Sequence, residues 1–171
     1  MCIRDRHICV FSIKKLMKSK ENLVFVGMMG SGKSSIGSLI AKKLKLNFID
    51  VDKEIEKELS LSISKIFEIK GEEFFRKFEE KLTLKKLKIN SSIVSLGGGA
   101  FTNKNIRQEV LKNHISFWLN WRDETLVNRI KNSKKRPLAV NSTSTELIDF
   151  CLLYTSPSPR DRTRSRMPSS A

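Results

Sequence analysis

Eight consecutive residues constrain this chain more than any others: Gly27-Met-Met-Gly30-Ser-Gly32-Lys33-Ser34 fits the pattern G-x-x-x-x-G-K-[ST]. The pattern has meaning only with a strand before it and a helix after it, and both are legible. Residues 23–27 (LVFVG) form a short apolar run, as a buried parallel strand does. Behind the glycines, Ile36, Leu39, Ile40 and Leu44 recur at helical spacing, which predicts an amphipathic helix over residues 33–45. Glycines let backbone N–H groups turn toward phosphate oxygens without side-chain obstruction. The helix N-terminus adds unpaired donors and the positive end of its dipole. Gly30, Ser31, Gly32, Lys33, Ser34 and Ser35 are therefore the expected cradle for ATP, with Lys33 reaching the β- and γ-phosphates and the Ser34 hydroxyl coordinating Mg²⁺. No Asn/Thr-Lys-x-Asp string that would read guanine is present, which argues against a GTPase.

The rest of the chain continues the alternation of strand and helix. Residues 47–51 read as a second strand, 92–96 as a third and 115–119 as a fourth. Residues 52–59 and 62–69 read as short helices, the latter with Ile63, Ile66 and Phe67 on one face. Gly71 separates that helix from a longer one over residues 72–88. A further helix is predicted over residues 123–132, where Asp123 and Glu124 suit the N-terminal dipole. Residues 131–136 form a basic loop closed by Pro137. The pattern implies an α/β fold, a parallel sheet with helices on both faces.

Length and charge bear on what else the chain can be. At 171 residues it has the size of one domain, and no apolar run approaches the ~20 residues a membrane span requires. Residues 7–16 are short and interrupted by Lys14 and Lys15. The net charge of +15 raises nucleic acid as a partner. However, residues 1–6 (MCIRDR) and 151–171 (CLLYTSPSPRDRTRSRMPSSA) both read like translated sequencing-library adapters, and they carry +4 of that charge, leaving +11. The domain expectation is accordingly a leader over 1–16, a P-loop domain over 17–150, and a disordered, adapter-like tail over 151–171. The remaining surplus is mostly lysine along helical stretches, without the interleaved aromatic residues of a stacking surface. Of three cysteines only Cys9 lies outside the flanks, so neither a disulfide framework nor metal-ligand spacing exists. A cytoplasmic monomer, binding neither nucleic acid nor membrane, is the expectation.

Four further constellations bear on the acceptor. Asp50-Val-Asp52 closes the second strand, and on extended chain its carboxylates would point to one face of the crevice. One could serve magnesium and the other an acceptor hydroxyl; the plain alternative is a helix cap at Asp52. In Gly71-Glu-Glu-Phe-Phe75-Arg76-Lys-Phe78-Glu79, Arg76 and Glu79 adjoin on one helix face, so the carboxylate can hold the guanidinium ready for an anionic substrate. Phe67 and Phe75 would wall the pocket beside it, or else simply belong to the core. Gly97-Gly98-Gly99 ends the third strand and permits close backbone approach to a ligand. Arg136-Pro137-Leu138, after two lysines, suits a mobile lid that carries a cation to the transferring phosphoryl.

In this order, the GxxGSGKS loop, the DxD pair, the GExxFRxxE helix, the SxGGG turn and the RPL lid together resemble the shikimate kinase family over residues 22–140. The resemblance implies a P-loop, nucleoside-monophosphate-kinase-like three-layer α/β/α sandwich around a five-stranded parallel sheet. It implies transfer of the ATP γ-phosphoryl to the 3-hydroxyl of shikimate, in the route to the aromatic amino acids. Asp52 and Arg76 would then bind the acceptor's hydroxyl and carboxylate, and Gly97, Gly98 and Gly99 would line its pocket. Ser34 and Asp50 would serve Mg²⁺, Arg136 would be the lid arginine, and Arg129 would lie near the adenine. Lys33, Asp52 and Arg136 would be the catalytic set.

Two departures accompany the likeness. Ser60 stands where the family usually has glycine. In the family a helix carrying a further substrate-carboxylate arginine, a fifth strand and a final helix follow the lid; residues 142–150 (STSTELIDF) begin such a helix, and the adapter-like segment replaces the rest. The expectation is a domain lacking its last strand and helix, which would be poorly stable and bind ATP better than shikimate. Rival readings are a gluconate- or nucleotide-type small kinase, a basic nucleic-acid-binding module, and an ATP-binding remnant without turnover.

Overall fold

A computed structural model describes residues 21–119. Strand β1 (Leu23–Val26) leads through the glycine loop into helix α1 (Lys33–Leu44), followed by β2 (Asn47–Asp50) and α2 (Val51–Leu59). Helix α3 (Ile63–Leu87), β3 (Ser92–Ser95), a single 3₁₀ turn (Ala100–Thr102), α4 (Lys104–Asn113) and β4 (Ile115–Trp118) complete the described residues. The strands are parallel and lie in the order β2-β3-β1-β4. β1 is thus enclosed by strands on both sides, and its carboxyl end opens at the middle of the sheet.

Side chains of β1 alternate between two cores. Val24 and Val26 join Val94 and Leu96 under α2, α3 and α4, through Val51, Ile55, Ile66, Phe75, Leu82, Leu87, Ile106 and Val110. Leu23 and Phe25 join Ile93 against Ala41 and Leu44 of α1 on the other face. Both faces of the sheet are covered, which is why β1 and β3 read as continuous apolar runs and why the fold has three layers. Ile55 and Ile66, each fully buried, contribute roughly 2 kcal/mol apiece through removal of side-chain surface from water. Close packing shows at Gly37, where a Cβ would stand 2.7 Å from the Phe48 ring; only glycine lets α1 settle onto β2.

The strands and helices read from sequence within the described residues fall within a residue or two of their observed bounds. The break at Gly71 is real, with φ 77° and ψ 170° inside α3. Three points differ. The sequence reading places no element between residues 99 and 115, whereas the structure has the 3₁₀ turn and α4. The Asn103 side chain starts α4 by accepting from the N–H groups of Asn105 (2.9 Å) and Ile106 (3.1 Å). Only Ile106 and Val110 are buried in that helix, so its apolar stripe is too thin to announce itself. Second, α2 begins at Val51 and the cap position is Asp50, not Asp52. Asp52 therefore lies in a first helical turn, and the two carboxylates are not on continuous extended chain. Third, Ser60 adopts the left-handed conformation itself (φ 51°, ψ 28°), so the turn that glycine would make is kept, under backbone strain.

The leader and tail segments, the predicted helix over 123–132, the loop over 131–136, Arg129 and Arg136 all lie outside the described residues. No helix among the described residues is long and apolar enough to cross a membrane.

Candidate active site at the carboxyl end of the sheet

The phosphate loop has the backbone its sequence demands. Gly27, Gly30 and Gly32 take positive φ of 144°, 84° and 87°. A turn closes between the Ser31 N–H and the Met28 carbonyl (3.1 Å), and α1 starts with the Ile36 N–H on the Gly32 carbonyl (2.9 Å). Lys33 folds back along the loop and is 8% exposed; its Nζ donates to the carbonyls of Gly27 (2.8 Å) and Met28 (2.9 Å). The ammonium is thus held over the cradle by backbone oxygens. Ser34 and Ser35 are exposed in the first turn of α1, and Ser31 is fully buried beneath the loop.

Beside this loop, the three-glycine turn after β3 is a meeting point. A Cβ on Gly97 would stand 2.5 Å from Glu79 Oε1 and 2.7 Å from Asp52 Oδ1. A Cβ on Gly98 would lie 3.2 Å from the backbone N of Met29 in the phosphate loop. A Cβ on Gly99 would lie 2.9 Å from Arg76 Nη1 and 3.1 Å from Nη2. The turn is bare because a side chain at each of its positions would run into a different part of the site.

Arg76 comes from the second limb of α3. Its Nη1 donates to Glu79 Oε2 at 2.9 Å and its Nε to Glu72 Oε1 at 3.2 Å. The guanidinium lies over the Phe75 ring, 5.5 Å from its centroid, and Phe75 packs on Phe67 with centroids 4.6 Å apart. Phe75 is 4% exposed and supports Arg76 from the core. Phe67 is half-buried against the same core.

The carboxylates are under strong electrostatic tension. Burial pushes the Asp52 carboxyl up to about 6; Lys33 pulls it down, Asp50 and Glu56 push it up, and Arg76 pulls it down. Burial likewise pushes Glu79 up to about 7, against the pull of Arg76 and with the push of Asp52 and Glu72. Burial works to lower Arg76, but Glu79 and Glu72 outweigh it and hold the guanidinium firmly charged. Asp50 is 8% exposed, at the end of β2. Among the described residues, no group of three or more His, Cys, Asp or Glu could hold a metal ion.

Lys33, Asp50, Asp52, Arg76 and the three glycines therefore converge on one crevice at the carboxyl ends of the strands, where ligands bind in open α/β sheets. Sequence reasoning gave Glu79 only the task of holding Arg76. The structure adds its proximity to Asp52, both carboxylates bordering the space a Gly97 side chain would take, for which spacing in the chain holds no signal. It also missed the supports of α2: an ion pair from Glu54 to Lys86 of α3, and Glu56 Oε1 accepting from the Ile63 N–H at 3.0 Å.

Known proteins with this arrangement point one way. The family model for shikimate kinase matches residues 29–158. Shikimate kinase of Bartonella quintana (strain Toulouse) is 43% identical over 136 residues, covering 78% of this chain and 65% of the relative. That of Bacillus subtilis (strain 168) is 47% identical over 113 residues, 60% of this chain and 59% of the relative. The chain thus spans somewhat under two thirds of these relatives' length. Among solved structures, shikimate kinase from Acinetobacter baumannii in complex with shikimate superposes with a TM-score of 0.75 at 29% identity, over 86% of this chain and 80% of that one. Shikimate kinase from Aquifex aeolicus gives 0.69 at 31% identity, over 81% and 83%. By the family match, the shared fold and the crevice built at its expected place, this chain belongs to the shikimate kinase family.

Proposed function

We propose that this chain transfers the γ-phosphoryl of ATP to the 3-hydroxyl of shikimate. The observation that carries the reading is the bare turn Gly97–Gly99, against which the Asp52 carboxylate, the Arg76 guanidinium and the phosphate-loop backbone all abut. A hydroxy acid has two groups to recognise, a hydroxyl and a carboxylate, and Asp52 and Arg76 offer one partner for each. Arg76 takes the carboxylate in its planar fork, which orients the acceptor with its hydroxyl toward Asp52. Asp52 holds that hydroxyl and accepts its proton as the new ester forms. A carboxyl raised to about 6 is more basic than an ordinary aspartate yet largely ionised at neutral pH. Lys33 and the loop N–H groups bind the β- and γ-phosphates and neutralise charge developing on them.

The donor set fits Mg²⁺ as well. Ser34, exposed in the first turn of α1, and the Asp50 carboxylate at the end of β2 are two hard oxygen donors, the number this cation usually takes from protein beside nucleotide phosphates and water. When bound, the ion offsets phosphate charge and fixes the phosphate orientation. Arg136 as the lid cation and Arg129 beside the adenine complete the proposal from the family resemblance. A cytoplasmic monomer with a folded unit over 17–150 and a solvated lysine face, not a nucleic-acid platform, belongs to the same reading.

Release of ADP from Mg²⁺-ATP, measured with shikimate, gluconate or AMP as acceptor, tests it. Shikimate-dependent release with the other two inactive is expected. Preference for gluconate or AMP overturns the acceptor assignment.

A further inference from the structure

We propose that Glu79 couples the two acceptor-binding residues of the crevice: a buried carboxylate shared between Arg76 and Asp52, it takes up a proton when an anionic acceptor engages Arg76. The inference rests on the reading of Arg76 as the ligand of the acceptor's carboxylate.

The geometry sets Glu79 between two charges of opposite sign. Its side chain is 3% exposed, so water gives its charge little relief. Oε2 accepts from Arg76 Nη1 at 2.9 Å, while Oε1 and Asp52 Oδ1 both border the space that a Cβ on Gly97 would occupy, 2.5 Å and 2.7 Å from it. Among the described residues, the charged groups facing it are Arg76 and Glu72 of α3 and Asp52 of α2; the turn after β3 contributes only glycine. Arg76 is the cation that favours the ionised form, and Asp52, Glu72 and burial all oppose it.

An acceptor carboxylate removes that support. Once the guanidinium binds it, the positive field at Glu79 is largely cancelled and another anion stands nearby, so the neutral acid becomes the favoured form. Glu79 already lies near neutrality in the chain, at about 7, so a further rise brings a proton in from solvent under ordinary conditions. The neutral side chain then places no negative charge beside Asp52 and the incoming carboxylate. Glu79 is a positioning residue in this account; it acts on the acceptor through Arg76 and Asp52. Proton uptake is largest just above neutral pH and vanishes near pH ~5, where Glu79 is protonated before the acceptor arrives.

Carbon-13 NMR of the full chain, labelled at the glutamate carboxyls, measures this directly. In the parent chain Glu79 is expected to titrate near neutrality, and its midpoint to rise by about one unit or more with saturating shikimate. Arg76→Gln, without acceptor, should raise it similarly, because it removes the same cation. Binding heats measured in phosphate and in Tris should differ by the proton taken up, and Glu79→Gln should abolish that difference. A midpoint in the ordinary glutamate range overturns the proposal. So does a midpoint that shikimate leaves unmoved while shifting the Arg76 Nε resonance. Shikimate that leaves Arg76 itself unshifted refutes the acceptor assignment and the coupling with it, and the Arg76→Gln midpoint separates that failure from a failure of the Glu79–Arg76 pairing.

Discussion

The two ends of the sheet solve opposite problems. At the carboxyl end, charged groups are crowded round glycines, and two carboxyls are held far from their ordinary titration range. At the amino end, one asparagine closes the fold with nothing to spare. Fully buried Asn22 donates from Nδ2 to the Leu87 carbonyl (2.7 Å) and accepts at Oδ1 from the Ser92 N–H (2.9 Å). Its backbone N–H donates to His114 Nδ1 (3.2 Å), and its carbonyl accepts from the Ile115 N–H (3.0 Å). A single residue thereby ties together the start of β1, the end of α3 and the starts of β3 and β4. Polar groups satisfied by one another stabilise; polar groups held in tension are available to a ligand. The difference separates what keeps this chain folded from what it acts with.

Substitutions at the two ends should therefore fail in different assays. The largest effect is expected from Lys33→Met, which should lower kcat by roughly a hundred- to a thousandfold through lost phosphate charge stabilisation, measured at a temperature where the variant is still folded. Asn22→Ala should do the reverse: it strands a buried carbonyl and a buried N–H and costs roughly 3 kcal/mol in denaturant unfolding. Acceptor KM, measured well below the transition, should stay the same. Gly97→Ala tests the boundary between the ends. Its methyl must displace the Asp52 and Glu79 carboxylates, for a stability loss of about 1–3 kcal/mol with a rise in acceptor KM. An unchanged KM would mean that these carboxylates do not meet the acceptor.

The smallest effect is one of pH. Burial holds His114 below its ordinary 6.5, against the upward pull of Glu109 and Glu21. Its Nδ1 must be unprotonated to accept from Asn22. A folded-state value below the unfolded one gives stability that is full above pH 6.5 and is lost as pH falls through that value. Glu79 has the opposite sign: raised from 4.5 to about 7, it costs stability as pH rises across that interval. Denaturant unfolding at pH ~7.5 and ~5.5 should show a steeper loss on acidification in Glu79→Gln than in the parent, and a shallower one in His114→Gln. Equal slopes in all three would remove both assignments.

How much of this was legible in the sequence follows the same division. The phosphate loop could be read because it is local: strand, glycines, lysine and helix are contiguous, and each enforces its neighbour. Arg76 with Glu79 was legible for the same reason, being one helical turn apart. What the sequence hid depends on contacts between distant segments. Asp52 and Glu79 border the same space only because the turn after β3 sets Gly97 beside both α2 and α3. Asn22 was silent because an asparagine before a strand looks like any turn residue, and its partners Leu87, Ser92 and His114 are far away in the chain. Helix α4 was hidden for a third reason, since only Ile106 and Val110 mark its buried side. The Asp50–Asp52 pair was read with the right crevice but the wrong local geometry, because the spacing of two residues was taken along a strand that ends at Asp50.

The most direct test of the central claim is ³¹P NMR of the chain with Mg²⁺-ATP and shikimate. The account predicts a new phosphomonoester resonance that grows in step with ADP and is lost in Lys33→Met. ADP appearing only with inorganic phosphate, or at a rate indifferent to shikimate, would contradict it.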